Sequence, residues 1–200
     1  SQGLTEFFEK SFVGKGGKIV AKEGFTSGDK DFRAQLSKIK ASNPDVIFMP
    51  YFFTEVALSA VQARELGITA ALMGGDGWPS PDLFKLGGKA VEGGIFVNHL
   101  DYDQPTVQDY KARYRAKFGK DTELNGYLVH DAVLMLVDGL KRAGKVDGEA
   151  LAKALSSTDI QGITGRIRIS PATHNPEGKE AAIIQIVNGE YKFLQNYAAN

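Results

Sequence analysis

Residues 46–78 read VIFMPYFFTEVALSAVQARELGITAALMGGDGW. Val46 to Met49 is an uninterrupted apolar run set between Asn43-Pro44 and Pro50, which is how a strand buried on both faces of a parallel sheet reads. Thr54 offers an N-cap for a helix whose apolar positions Val56, Leu58, Ala60, Val61 and Ala63 share one side. Gly67 closes that helix, with Arg64 near its negative end. Ala70 to Met73 is a second short apolar run, and Gly74 to Pro81 a loop rich in turn formers. Strand, helix and strand at this spacing predict a βαβ unit in a right-handed parallel α/β sheet.

The same alternation extends on both sides. Upstream, Leu4, Phe7, Phe8 and Phe12 recur at helical spacing until Gly14, Gly16 and Gly17, and Lys18 to Gly24 reads as a short strand. Asp29 or Asp31 can cap a further helix with the face Phe32, Leu36 and Ile39, which Asn43-Pro44 stops. Downstream, Leu83 to Leu86 is a short helix and Ile95 to His99 a strand. Past Asp101 the pattern becomes consecutive helices, marked by Val107 to Phe118, Tyr127 to Leu140 and Glu149 to Leu155. Period two returns with Ile163, Ile167 and Ile169, then Ala182 to Val187 and Tyr191 to Leu194 around Asn188-Gly189, a strong hairpin signal. The helices between 104 and 156 have no sheet of their own here, so they need one supplied from elsewhere.

Composition narrows the functional classes. Lys plus Arg and Asp plus Glu number 24 each in 200 residues, so no net field draws the chain to nucleic acid or to an anionic membrane. Without cysteine there is no disulfide framework, thiol nucleophile or thiolate metal site. Ser1-Gln2-Gly3-Leu4 has neither a basic segment nor an apolar one of the secretory kind, so residue 1 reads as a processing, cloning or proteolytic boundary. His99, His130 and His174 lack ligand spacing and read as structural histidines. No G-x-S-x-G elbow is present, and the glycine-rich run 14–18 lies between a helix and a strand, the wrong order for a phosphate loop. No cofactor and no metal are expected.

The informative cluster follows two successive strands: Pro50-Tyr51-Phe52-Phe53-Thr54-Glu55 after the first, Gly74-Gly75-Asp76-Gly77-Trp78 after the second. Ligands of open α/β sheets bind beyond the carboxyl ends of the strands, which puts both loops on that edge. One acid beside aromatic side chains suits an ammonium group on a partly apolar molecule, with Asp76 as the charge partner and Phe52 or Trp78 as the wall. Spacing alone equally allows the aromatics to be core, with Asp76 capping the turn before Trp78. An α/β enzyme using Asp76 as general base with His99 or His130 is the rival, and it lacks an accompanying nucleophile, metal set or cofactor loop.

Several of these motifs in order, Gly28-Asp29-Lys30-Asp31-Phe32, Asn43-Pro44-Asp45-Val46-Ile47-Phe48, Phe52-Phe53-Thr54-Glu55, Gln62-Ala63-Arg64-Glu65-Leu66-Gly67, Gly74-Gly75-Asp76-Gly77-Trp78 and Gly162-Ile163-Thr164-Gly165, resemble the periplasmic leucine/isoleucine/valine-binding protein family. These are substrate-binding subunits of ABC importers with the type I periplasmic-binding-protein fold, two α/β lobes joined by three crossovers. The resemblance implies that residues 1–98 are the second lobe, 99–180 part of the first lobe, and 181–200 the closing strands and third crossover, with the amino-terminal part of the first lobe lacking. It places Asp76 where the family has the acid that receives the α-ammonium, and Phe52, where Tyr is common, in the ligand wall with Phe53 and Trp78. His99 and Leu100 fall in the hinge. It further implies a free amino acid ligand, the membrane permease of an ABC importer as partner, a periplasmic or extracellular location, and binding by hinge closure without a chemical step. A sensory domain of the same fold is the alternative. Bare helical faces imply self-association through residues 104–156.

Overall fold

The computed structural model describes residues 2–198, which fall into two compact units: residues 2–98 with 183–194, and residues 99–182 with 195–198. The chain crosses between them after Asn98, between Ala182 and Ile183, and between Leu194 and Gln195.

In the first unit, helices α1 (Gln2–Gly14) and α2 (Arg33–Ala41) precede β1 (Val46–Met49), α3 (Phe53–Glu65), β2 (Ala71–Gly74), α4 (Pro81–Gly87) and β3 (Ile95–Asn98). With β6 (Ala181–Val187) and β7 (Glu190–Tyr197), the strands form a sheet in the order β1-β2-β3-β6-β7. β1, β2 and β3 run parallel, Val46 opposite Ala71 and Met73 opposite Ile95. The predicted βαβ unit is therefore present. Asn188 and Gly189 take positive φ of 55° and 72° between β6 and β7, the geometry that the Asn-Gly pair was expected to supply.

The core of this unit includes Val56, Ala57, Ala60 and Ala63 of α3, all fully buried, together with the fully buried Met49, Leu72, Phe96, Ile184 and Ile186 of the strands. Each large aliphatic or aromatic chain buried here stabilises by about 1.5–3 kcal/mol. A buried amide fixes the start of α2: Gln62 Oε1 accepts the Phe32 N–H at 2.7 Å while its Nε2 donates to the Lys30 carbonyl at 2.7 Å.

Three local expectations are corrected. Lys18 to Gly24 forms no strand, because residues 18–23 find no backbone hydrogen-bond partner among the described residues, and a strand exists only as part of a ladder. Helix α3 begins one residue before Thr54, with Phe52 at the cap position and no side-chain cap; its first N–H, that of Phe53, goes to the Gly77 carbonyl instead. Helix α2 is led by Phe32 in the same way, and Asp31 takes the Arg33 N–H at 3.1 Å without being the cap.

The second unit holds α5 (Pro105–Phe118), α6 (Leu124–Ala143), α7 (Gly148–Leu155) and the antiparallel hairpin β4 (Asp159–Gly162) with β5 (Gly165–Arg168). Leu100, Val107, Leu124, Tyr127 and Ile163 make its small core. Helix α6 buries only Leu124, Tyr127, Asp131 and Gly139. It leaves Val129 60%, Val133 52%, Leu136 45% and Leu140 37% exposed.

Candidate functional site

Two loops leave the carboxyl ends of β1 and β2, and the backbone ties them together. Phe53 N–H donates to the Gly77 carbonyl at 3.0 Å, so Phe52 and Asp76 stand on the two flanks of one hydrogen bond. The approach is close: a Cβ on Gly77 would lie 2.9 Å from the Tyr51 carbonyl oxygen and 3.2 Å from the Phe52 ring, which any larger residue would disturb. Beneath the loops, Tyr51 shares a hydrogen bond with Ser59 Oγ at 3.1 Å, and the ring of Phe25 meets it edge-on at 4.8 Å. Burial pushes the Tyr51 phenol up to about 12, against the Ser59 hydrogen bond, so it stays protonated as a rigid prop.

The expected site residues separate into two groups. Asp76 is exposed, Phe52 is 70% exposed and Phe53 half-buried, all on the edge formed by the two loops. Trp78 is fully buried. Its Nε1 donates to the Met49 carbonyl at 3.0 Å, and its ring lies 5.6 Å from that of Phe96. Gly74 and Gly94 exist to admit the indole, since a Cβ on Gly94 would come within 2.8 Å of it and one on Gly74 closer still. The wall expected of Trp78 is therefore corrected: it braces the loop from below, and the aromatic surface at the edge belongs to Phe52. An apolar ring with a single N–H is worth more in a dry core with a carbonyl for that N–H than at a wet edge.

Leu100 is buried in the core of the second unit, and His99 lines a cavity of about 250 Å³ in that unit with Thr164, Arg166 and Lys179. His130 stacks edge-on to Tyr110 at 4.9 Å with Nδ1 3.3 Å from Asp131. His174 is exposed, and among the described residues no group of three His, Cys, Asp or Glu could hold a metal.

One polar centre escaped the sequence reading. Asp131, buried on α6, accepts from Ile163 N–H (2.8 Å), Thr164 N–H (2.9 Å) and Thr164 Oγ1 (2.7 Å), and so clamps the turn between β4 and β5. Burial raises its carboxyl, but those donors together with His130 outweigh burial and leave it below the usual carboxylate range. Lys179 Nζ donates to the same Thr164 Oγ1 at 2.7 Å, its ammonium lowered by burial against the pull of Asp131. The signal available in sequence was a lone acid on an apolar helix face, paired with a Gly-Ile-Thr-Gly turn.

A family model described as periplasmic binding protein matches residues 1–190. Among curated proteins, the chain is 28% identical over 169 residues to the leucine-, isoleucine-, valine-, threonine-, and alanine-binding protein of Pseudomonas aeruginosa, covering 83% of this chain and 45% of that one. It is 32% identical over 157 residues to the Leu/Ile/Val-binding protein BraC3 of Rhizobium johnstonii, covering 77% and 42%. Among solved structures, it superposes on the leucine-binding protein LivK of Thermotoga maritima with TM-score 0.88 at 34% identity, covering 98% of this chain and 56% of that one. The isoleucine complex of LivJ from Streptococcus pneumoniae gives 0.84 at 26%, covering 99% and 56%. The chain thus spans about half the length of the proteins it matches.

Proposed function

Because the chain belongs to the periplasmic binding protein family and has the type I fold of that family, we propose that it is the ammonium-gripping part of a solute-binding subunit of an ABC importer, with a small aliphatic or other neutral amino acid as ligand. The family is one of binding proteins and not of enzymes. In this reading residues 1–98 are the second lobe, 99–180 belong to the first, and 181–200 bring the closing strands and third crossover. His99 and Leu100 take up the hinge motion. The protein works in the periplasm or outside the cell and delivers its ligand to a membrane permease.

The observation that carries the reading is the Phe53–Gly77 hydrogen bond, which sets an exposed carboxylate beside an exposed phenyl ring at the carboxyl edge of a parallel sheet. Asp76 takes the α-ammonium, Phe52 and Phe53 cover the pair from water, and Gly77 keeps the two loops in register. Relatives with leucine, isoleucine and valine in their names support an aliphatic side chain. Equilibrium dialysis with labelled L-leucine and with 4-methylpentanoate tests it. The amino acid binds about tenfold or more tightly, a difference of ~1.4 kcal/mol, and Asp76→Asn removes the preference; equal binding of the two compounds sinks the role of Asp76. Self-association through residues 104–156 is the companion proposal, supported by the bare apolar face of α6.

A further inference from the structure

Asn-Gly occurs twice in the chain, at 125–126 and at 188–189, in different surroundings. In α6 the Gly126 N–H donates to a backbone carbonyl, that of Glu123, at 2.9 Å. At the hairpin tip the acceptor is a side chain. Asn188 N–H donates to Glu92 Oε1 at 2.5 Å and Gly189 N–H to Glu92 Oε2 at 3.3 Å, so one carboxylate takes both amides of the turn. The backbone fixes its aim: Gly93 N–H donates to the Ile186 carbonyl at 3.0 Å and Ile186 N–H to the Gly94 carbonyl at 2.9 Å, which stitches the residues after Glu92 to the strand that leads into the turn. Glu92, Asn188 and Gly189 are all exposed, and a carboxylate open to water gains little stability for the fold from such contacts.

What the contacts do change is the chemistry of the turn. Glycine puts no side chain in the way of an attack by its own nitrogen on the preceding Asn side chain. In that reaction the Gly189 nitrogen gives up its proton, its lone pair bonds to Asn188 Cγ, and the Cγ–Nδ2 bond breaks; the leaving nitrogen takes up the proton and departs as ammonia. Water then opens the cyclic imide at either carbonyl, giving Asp or an isoaspartate whose backbone runs through the former side chain. The sum is side-chain amide plus water to carboxyl plus ammonia. Two features oppose the first step here. Taking the proton from Gly189 N forfeits a hydrogen bond to a charged acceptor and sets two negative charges face to face. Successive φ of 55° and 72° make a type I′ turn, in which the nitrogen after Asn188 lies across the Cα–C bond from Cβ, whereas ring closure needs both on one side.

We propose that Asn188 is a latent site of deamidation and that Glu92 is the residue that suppresses it, by holding both N–H groups of the turn. Either product defeats the turn. Isoaspartate lengthens the backbone of a two-residue loop whose length sets the strand register, and Asp brings a second carboxylate to the one already there. The strands so joined, β6 and β7, run into two of the three crossings between the units, between Ala182 and Ile183 and between Leu194 and Gln195. The inference does not depend on the amino acid reading, because it uses neither Phe52, Asp76 nor Gly77.

Peptide mapping by mass spectrometry after prolonged warming of the 200-residue chain in mildly alkaline buffer tests it, with the aspartate and isoaspartate products separated by chromatography. A synthetic peptide of residues 184–192 gives the unguarded rate, Asn125-Gly126 serves as internal reference, and amide exchange at Ile184 and Ile186 reports the integrity of β6. In the wild-type chain Asn188 deamidates at least about tenfold more slowly than in the peptide. Glu92→Ala raises the rate at Asn188 by roughly ten- to a hundredfold, the span that a hydrogen bond to a charged acceptor covers, and leaves Asn125 and the β6 amides unchanged. Glu92→Gln, which keeps one acceptor oxygen without the charge, falls between the two. The proposal is overturned if Asn188 in the wild-type chain reacts as fast as the peptide, or if both variants leave its rate unchanged. It is equally overturned if the rise at Asn188 comes with faster exchange at Ile184 and Ile186 or with an equal rise at Asn125, which would assign the protection to the fold and not to the carboxylate.

Discussion

Replacing Asp131 with Ala removes the acceptor for three donors at 2.7–2.9 Å, two of them backbone N–H groups that cannot turn elsewhere. Each buried donor left unmet costs about 1–3 kcal/mol, and Lys179, whose Nζ is bonded to the same Thr164 hydroxyl, loses its nearby opposite charge. Some water will enter the space, so the sum settles near 3–5 kcal/mol rather than at the upper limit. Asp131→Asn keeps one acceptor oxygen but turns an NH₂ toward donors, and costs about 2–3 kcal/mol. Urea unfolding at neutral pH measures both. The linkage has a definite sign. Because the folded-state carboxyl lies below its unfolded value, its contribution is present above about pH 4 and is lost as pH falls through the folded value. Wild type and the Asn variant therefore converge in acid. A cost below about 1 kcal/mol for the Ala variant, or a gap independent of pH between 2 and 5, refutes the clamp.

Tyr51 behaves with the opposite sign. Its phenol is held up to about 12, so stability present below pH 10 is lost as pH rises toward 12, by roughly 2.7 kcal/mol for two pKa units. Tyr51→Phe should flatten that part of the alkaline limb in thermal melts. Trp78→Ala should cost about 3–5 kcal/mol in stability, measured by chemical denaturation; a ligand-wall residue would instead weaken binding with little loss of fold. Val133→Glu with Leu136→Glu on α6 should shift the chain from associated species to monomer in sedimentation velocity, since each exposed aliphatic chain buried in an interface contributes on the order of 1.5 kcal/mol. A wild-type chain that is monomeric at high concentration contradicts the companion proposal.

Periodicity made the parallel sheet legible. Val46 to Met49, the α3 face and Ala70 to Met73, whose strand is displaced by one residue to Ala71–Gly74, follow rules of period and turn that act within a dozen residues, and so does the Asn188-Gly189 turn. What escaped depends on partners distant in sequence. Lys18 to Gly24 has the alternation of a strand, but a ladder needs a second backbone, which local sequence does not contain. Thr54 has the chemistry of a cap, yet the helix opens earlier because the Gly77 carbonyl supplies the acceptor. Trp78 lies next to Gly77 and two residues from Asp76, and nothing within that loop says whether an indole turns to the edge or the core; Gly74 and Gly94, each vacating space for the ring, decide it. Asp131 was passed over because its donors are more than 30 residues away along the chain.

The central claim is that the edge carrying Asp76 and Phe52 receives an amino acid through its ammonium group. Titrating the isotopically labelled chain with L-leucine and following backbone amide shifts tests it most directly. The account predicts saturable binding, with the largest shifts at Phe53, Asp76 and Gly77 and their loss in Asp76→Asn. Shifts of the same size with 4-methylpentanoate, or shifts confined to the cavity lined by His99, Thr164 and Lys179, would contradict it.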